Sequence, residues 1–290
     1  MSLVHRARRK ARRTIDRLQG APPGAPPLRP FVPQAAAKPG TVRCAVCRWQ
    51  GTAFTGSSHC ESAQCPQCGA IGRDRWLFHC LVSSVSGIGK QTRLLETSPR
   101  MGDPYKDAMA ARVTYLASDY DQRAHKADIA IDLQKIDLPD DHLDVLMTSH
   151  VLEHVPDTAA ALSEIFRVLK PGGSLVLLVP VLQGETAPPV EPEFHGDDTP
   201  VFWRFGLDLT DTLRSHGFET SLLCTADFLR HVSARDLTWP DMYPEWDVPG
   251  LVAAAAARDD LTPILDDALA RTLGLNPSYM YLGWHARKPG

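Results

Sequence analysis

The sequence predicts an α/β fold: a mostly parallel sheet with helices on both faces. Two observations carry this. Short apolar runs alternate with amphipathic stretches between residues 91 and 179. The clearest runs, Leu143–Thr148 (LDVLMT) and Ser174–Val179 (SLVLLV), are apolar on consecutive positions, as strands covered on both faces must be.

Taken in order, Gln91–Thr97, with Leu94 and Leu95, reads as a buried strand, and Met101–Ala111 as a helix. Arg112–Ser118 is a second strand, Ala127–Ile131 a short third, and Leu143–Thr148 a fourth. The best-defined element is a helix at Asp157–Leu169, because Leu162, Ile165, Phe166 and Leu169 recur on one face. Asp157 suits its N-cap, and Lys170-Pro171-Gly172-Gly173 stops it. Ser174–Val179 is a fifth strand. Residues 183–204 are rich in proline and acids and read as a long loop. Leu207–His216 follows as a helix and Phe218–Cys224 as a strand. Residues 226–275 read as helix and loop with little strand signal, and Ser278–Ala286 as a closing strand.

The chain has 290 residues, of which 43% are hydrophobic and 22% charged, values that exclude disorder of the whole. No stretch approaches the ~18 apolar residues of a transmembrane helix. The N-terminus lacks the apolar run of a secretory signal, so the expected location is cytoplasmic. Charge is uneven. Residues 1–20 hold Arg6, Arg8, Arg9, Lys10, Arg12, Arg13 and Arg17 against the lone acid Asp16, while the whole chain carries −3. A basic arm therefore precedes an acidic body, which is poorly suited to hold a long nucleic acid by charge alone. The arm is either a contact for RNA or an anionic surface, or a solvated tail. Seven prolines between Pro22 and Pro39 make the next stretch an extended linker. The expected division is residues 1–40 as arm and linker, 41–83 as a metal-binding module, and 84–290 as the main domain, with a C-terminal insertion that covers a substrate.

Cys44-x2-Cys47 is followed 17 residues later by Cys65-x2-Cys68, the spacing of a four-cysteine zinc site. Each pair presents two thiolates to one tetrahedral ion, and Gly69 suits the tight turn after the second pair. Four thiolates leave no open position, so the zinc is expected to be structural and the module zinc-ribbon-like. Cys60, beside His59, could replace one ligand. Cys80 and Cys224 sit in apolar surroundings and read as buried, inert thiols.

Three acids stand at successive strand ends. Glu96 closes the first strand, Asp119 follows the second 23 residues later, and Asp132 follows the third. A carboxylate at that interval can hold both hydroxyls of a ribose. A third acid can accept a hydrogen bond from an exocyclic amine. Together the three favour a nucleoside site.

Asp128-Ile-Ala-Ile-Asp132, Leu143-Asp144-Val-Leu-Met-Thr-Ser149-His150-Val-Leu-Glu153-His154-Val-Pro156 and Glu164-Ile-Phe-Arg167-Val-Leu-Lys170-Pro171-Gly172-Gly173 are similar to motifs of the class I S-adenosylmethionine-dependent methyltransferases, in the group related to ubiquinone and small-molecule methyltransferases. The resemblance runs from Leu94 to Pro180. It implies a Rossmann-like sheet of seven strands, the last antiparallel, with S-adenosyl-L-methionine as cofactor. It places Glu96, Thr97, Ser98 and Pro99 around the methionine part, Asp119 on the ribose, Asp132 and Leu133 on adenine, and Ser149 and His150 beside the transferring methyl. One departure stands out. The family's first loop is acid-x-Gly-x-Gly, whereas this chain reads Glu96-Thr-Ser-Pro-Arg-Met-Gly102. The acid is kept and both glycines, which let a backbone approach a ligand closely, are missing.

Methyl transfer to a hydroxyl needs a base. His150 is the first candidate, with Glu153 and His195 beside it, while His154 reads as a structural residue. Glu191–Asp198 (EPEFHGDD) could be a lid carrying His195, a divalent-ion site, or a solvated acidic loop. Phe202, Trp203 and Phe205 could close over a substrate or pack the lid onto the sheet. Trp239, Tyr243 and Trp246 belong to the covering insertion.

The expected function is methyl transfer to oxygen or nitrogen of a small-molecule or glycan-like acceptor. The alternative is an RNA methyltransferase that uses the zinc module and the basic arm, an arrangement that resembles some bacterial ribosomal RNA guanine methyltransferases. A non-catalytic cofactor-binding scaffold is the third reading. Sequence alone leaves the oligomeric state open.

Overall fold

The computed structural model describes residues 40–56, 63–123, 125–195, 198–235, 247–275 and 280–290. Residues 1–39, His59, Cys60, Asp197, Trp239, Tyr243 and Trp246 lie outside these spans, as does the start of the expected closing strand.

Two short strands, β1 (Val42–Arg43) and β2 (Gln50–Gly51), form an antiparallel pair that carries the first cysteine pair in its turn. Helix α1 (Gly72–Ser84) follows the second cysteine pair. The main sheet then begins with β3 (Arg93–Thr97), followed by α2 (Asp103–Ala110), β4 (Thr114–Asp119), the short β5 (Ile129–Ala130) and β6 (Leu143–Ser149). A 3-10 turn (Leu152–His154) leads into α3 (Thr158–Val168) and β7 (Leu169–Leu178). Next come the hairpin β8 (Glu193–Phe194) and β9 (Pro200–Val201), then α4 (Leu209–Ser215), β10 (Glu219–Thr225) and α5 (Ala226–Ala234). The chain closes with α6 (Val248–Ala256), β11 (Leu261–Leu265), α7 (Asp267–Thr272) and β12 (Leu282–Arg287).

The eight-stranded sheet has the order β11-β10-β12-β7-β6-β3-β4-β5. β12 runs antiparallel to both of its neighbours, β7 and β10, and the other pairings are parallel. This is a Rossmann-like sheet with its last strand antiparallel. Seven strands correspond to those read from the sequence, and β11 extends the sheet by an eighth. Pro263 concealed that strand: it cannot donate to a ladder, but an edge strand tolerates it. Likewise, the loop 183–204 contains the small β8–β9 hairpin.

Alternate side chains feed two cores, one on each face. Leu95, Leu146, Leu175 and Leu177 join Leu162 and Ile165 of α3, Leu213 of α4 and Leu251 of α6. Leu94, Val145, Met147, Val176 and Leu178 join Trp76, Leu77 and Leu81 of α1 and Tyr105 and Met109 of α2. The second core continues into Cys44, Val46, Cys65 and Cys68, so the cysteine module is packed on the sheet domain. Trp76 also donates its indole N–H to the carbonyl of Leu282 at 3.0 Å.

The clearest helix follows its sequence signals. Asp157 accepts a hydrogen bond from the amide of Ala160 at 2.9 Å, capping α3. At the other end the Lys170–Gly173 segment bulges out of the ladder, where pairing jumps from Leu143–Leu169 to Val145–Ser174. Gly172 takes φ +79°, which glycine adopts without strain. Glu164 and Arg167, read as motif residues, have a structural task. Arg167 binds Glu164 through two nitrogens at 2.7 Å each and donates to the carbonyls of Ile136 and Leu138, fastening the 134–141 loop to α3.

Arg75 holds the cysteine module against the C-terminal part. It is fully buried and donates to four carbonyls, those of Leu273 (2.7 Å), Ala63 (2.9 Å), Ala70 (2.6 Å) and Gly274 (3.0 Å). The ring of Phe54 stacks 3.8 Å from its guanidinium carbon.

Candidate cofactor cleft and cysteine centre

Strand order reverses between β4 on one side of β3 and β6 on the other. In an open parallel sheet such a reversal leaves a crevice beyond the carboxyl ends of the strands. Two cavities, of about 340 and 350 Å³, lie there and share Thr97 and Ser98 at the end of β3.

The two lobes differ in chemistry. One is lined by charged and polar groups: Arg73, Asp74, Glu96, Arg100, Gln64 and Ser149. The other is mostly apolar, with Ile131, Leu133, Val151, Val155 and Phe202, and holds the carboxylates Asp119 and Asp132. Pro99 lines the polar lobe. Gln64, Gly69 and Ile71 also line it, so the cysteine module and the residue after it supply one wall.

Each acid has a fixed local setting. The Glu96 carboxylate is 3% exposed and accepts from the hydroxyls of Tyr105 (2.9 Å) and Tyr115 (2.7 Å). Burial pushes its pKa up to about 7 against those stabilising hydroxyls. One oxygen of Asp119 lies 2.7 Å from His125 Nδ1, and the other accepts from the amide of Asp121 at 3.2 Å. Asp132 accepts from the backbone and side-chain amides of Gln134. Next to Asp119, Tyr120 is 79% exposed on the cavity wall, a large aromatic surface that the sequence reading passed over. Arg73 and Arg100, which supply positive charge to the polar lobe, were missed as well. The hydroxyl of Ser149 is buried, lines the polar lobe and has no hydrogen-bond partner among the described residues.

One residue of the altered first loop takes a glycine-like backbone. Ser98 takes φ +47°, the left-handed region, and its amide donates to the carbonyl of Ser118 at 2.7 Å. Serine therefore stands in a conformation that glycine adopts freely. His150, at the end of β6, has φ +52°. Strained residues thus end two neighbouring strands at the cleft.

The three candidate bases converge. Glu153 Oε1 lies 3.8 Å from His150 Nδ1 and 3.8 Å from His154 Nε2, and the rings of His154 and His195 meet edge to face at 4.6 Å. Burial holds His150 well below the usual histidine range and pushes Glu153 up to about 8. His150 itself borders Ser149 but lines neither cavity. His154 ties the hairpin down, with its Nδ1 2.7 Å from the carbonyl of Pro200. The carbonyl of Glu153 accepts from the amides of Phe202 and Trp203, and Trp203 Nε1 donates to Pro156. Phe205 is buried in the core. Thr199, Pro200 and Phe202 line the apolar lobe, so residues 198–205 form one side of the cleft.

In the cysteine module, Cys44 Sγ lies 3.6 Å from Cys68 Sγ, and Cys47 Sγ lies 3.6 Å from Cys65 Sγ. All four sulfurs fall within 4.8 Å of one another. Sulfurs about 2.3 Å from a tetrahedral zinc would lie roughly 3.8 Å apart, so the set fits that ion. The two turns match. Arg48 and Gly69, each following its pair, take φ +66° and +78°, and their amides return to Cys44 and Cys65. Cys80 and Cys224 are buried apart from this cluster, and burial raises both thiols, Cys224 to about 12.

Residues 86–177 match the model of the "Methyltransferase domain" family. A Mycolicibacterium smegmatis protein described as a "Probable S-adenosylmethionine-dependent methyltransferase" is 40% identical over 92 residues, 30% of this chain and 33% of that protein. The ubiquinone/menaquinone biosynthesis C-methyltransferase of Vibrio campbellii is 47% identical over 45 residues, 16% of this chain and 17% of its own. The chain thus spans a third or less of the length of these relatives. A solved S-adenosylmethionine-dependent methyltransferase from Mesorhizobium loti aligns with 73% of this chain and 98% of its own, at 17% identity and a TM-score of 0.44. The fold rests on the strand order above, to which a likeness of that size adds no weight. The stretch that matches the methyltransferase-domain model, residues 86–177, contains β3, β4, β5 and β6, whose ends border the cleft.

Proposed function

We propose that the chain is an S-adenosylmethionine-dependent methyltransferase acting on oxygen or nitrogen of a small-molecule or glycan-like acceptor. The observation that carries this is the two-lobed cleft. A nucleoside with a zwitterionic amino-acid tail needs one apolar lobe with a carboxylate for the ribose and one polar lobe for the tail, and the lobes supply both. The buried, unpartnered Ser149 hydroxyl is a further sign that a polar ligand group belongs there.

In this reading Asp119 takes the ribose hydroxyls, Asp132 and Leu133 border the base, and Tyr120 and Phe202 offer it aromatic surface. Thr97, Ser98, Pro99 and Ser149 surround the amino-acid tail, with Arg73 and Arg100 facing its carboxylate. Glu96 stays bonded to its two tyrosines and shapes the end of β3. When bound, the cofactor supplies an electrophilic methyl on a sulfonium. His150, which follows β6 next to the cavity-lining Ser149, is the base assigned to the acceptor's proton in this reading. The wall that residues 198–205 add to the cleft supports a compact acceptor over an extended polymer. The four cysteines hold a structural zinc ion that braces the wall carrying Gln64 and Gly69.

The test is incubation with methyl-labelled S-adenosylmethionine and cell extract, fractionated by size with and without ribonuclease. Label in small molecules or ribonuclease-resistant glycans, reduced at least tenfold by His150→Asn, is the expected result. Label in ribonuclease-sensitive polymer would replace this acceptor class with RNA and bring the basic arm into the site.

A further inference from the structure

Glu153 poses a physical problem. Its carboxylate is 1% exposed, and neither oxygen has a hydrogen-bond partner among the described residues. A buried acid without partners is costly whether charged or neutral. It is surrounded instead by imidazoles: His150 and His154 each at 3.8 Å, with His195 against His154. Ligand atoms of Glu153, His154 and His195 all lie within 4.8 Å of one another.

The hydrogen bonding of His154 is that of a ligand. Its Nδ1 donates to the carbonyl of Pro200 at 2.7 Å, and its Nε2 lies on the side of Glu153, 3.8 Å from Oε1. Metal-bound histidines are fixed in this way, through the nitrogen remote from the ion. His195 sits in a turn fixed by its own backbone, its amide donating to Thr199 and its carbonyl accepting from Asp198. A carboxylate and two imidazoles are the donors that suit zinc-type ions, and three protein ligands leave a position open.

We propose that Glu153, His154 and His195 form a second metal site, distinct from the four cysteines, that takes one divalent ion of the zinc type. An ion about 2.1 Å from each donor needs them to draw together by roughly 1 Å, within reach of side-chain torsions. Two ligands come from the turn after β6 and the third from the β8–β9 hairpin, so the ion fastens the hairpin at the side of the cleft. Its open position serves a water or an oxygen of a ligand in the neighbouring cavity, which His154 lines. Metal binding is independent of the proposed methyl transfer and is measured without cofactor or acceptor.

The experiment is equilibrium dialysis of the full chain against zinc chloride, with a parallel cobalt(II) titration followed by absorption. The expected result is two zinc ions per chain at saturation. One of the two cobalt sites should lack the sulfur-to-metal charge-transfer band of thiolate ligation. His195→Ala, a change outside the buried core, lowers affinity at this second site roughly tenfold or more and leaves the thiolate signal intact. Glu153→Gln does the same where it folds. Saturation at one ion per chain, or a second ion that survives His195→Ala, overturns the proposal.

Discussion

Replacing Glu96 with glutamine should change how stability depends on pH. The carboxyl is buried under the end of β3, and its pKa is raised from 4.5 to about 7, first by burial and against the hydroxyls of Tyr115 and Tyr105. Between those values the folded chain keeps a proton that the unfolded chain releases. Stability contributed by this group is therefore fully present below about pH 4.5 and is lost as pH rises toward 7. At 1.36 kcal/mol per pKa unit, a rise of about 2.5 units amounts to roughly 3 kcal/mol. Glu153 is raised in the same direction but is present in both proteins, so the comparison isolates Glu96. Urea unfolding of wild type and Glu96→Gln at intervals from pH 5 to 8 reads the difference. Wild type should lose about 2.5 kcal/mol more than the variant across that range, part of the total being lost already by pH 5. Parallel profiles, or a wild type that gains relative to the variant as pH rises, would refute the reasoning.

Other predictions follow from the same geometry. Ser98→Gly should leave stability equal or raise it by up to about 1 kcal/mol, since relief of ~1–2 kcal/mol of left-handed strain exceeds the ~0.5–1 kcal/mol entropy cost of glycine. Ser98→Val should cost at least ~1 kcal/mol, because a β-branched residue tolerates that conformation least. Equal melting of the two variants would show that the loop does not hold the conformation described. Arg75→Met should cost about 4 kcal/mol in chemical unfolding, at ~1 kcal/mol for each of its four hydrogen bonds to carbonyls. Cys65→Ser should carry one zinc fewer per chain by elemental analysis and melt lower, and unchanged metal content would contradict a zinc at the four cysteines.

The strands of the sheet were legible because strands buried on both faces are written as continuous apolar runs such as SLVLLV. β11 was not, because Pro263 on an edge removes the signal that the ladder itself does not need. The cysteine centre was legible from spacing, and its matching turns could be anticipated at Gly69 but not at Arg48, which takes the same backbone region without the telltale residue. At the cleft, strand-end acids announced themselves by position. Arg73, Arg100 and Tyr120 did not, since an arginine or tyrosine in a helix or loop looks alike in sequence whether it faces water or a cavity. The convergence of His195 on Glu153 was equally hidden. It joins residues 42 positions apart through backbone hydrogen bonds from Phe202 and Trp203, which no local pattern encodes. In the first loop, Ser98 takes a left-handed backbone that a glycine would have announced and a serine does not.

The central claim is that the cleft beyond β3, β4 and β6 binds S-adenosylmethionine through Asp119. A calorimetric titration of wild type and Asp119→Ala tests it. The account predicts one cofactor bound per chain. It predicts affinity at least ~10-fold weaker in the variant, as expected for the loss of hydrogen bonds to a charged group, with an unchanged circular dichroism spectrum. A wild type that binds no S-adenosylmethionine, or a variant that binds it equally well, would contradict the account.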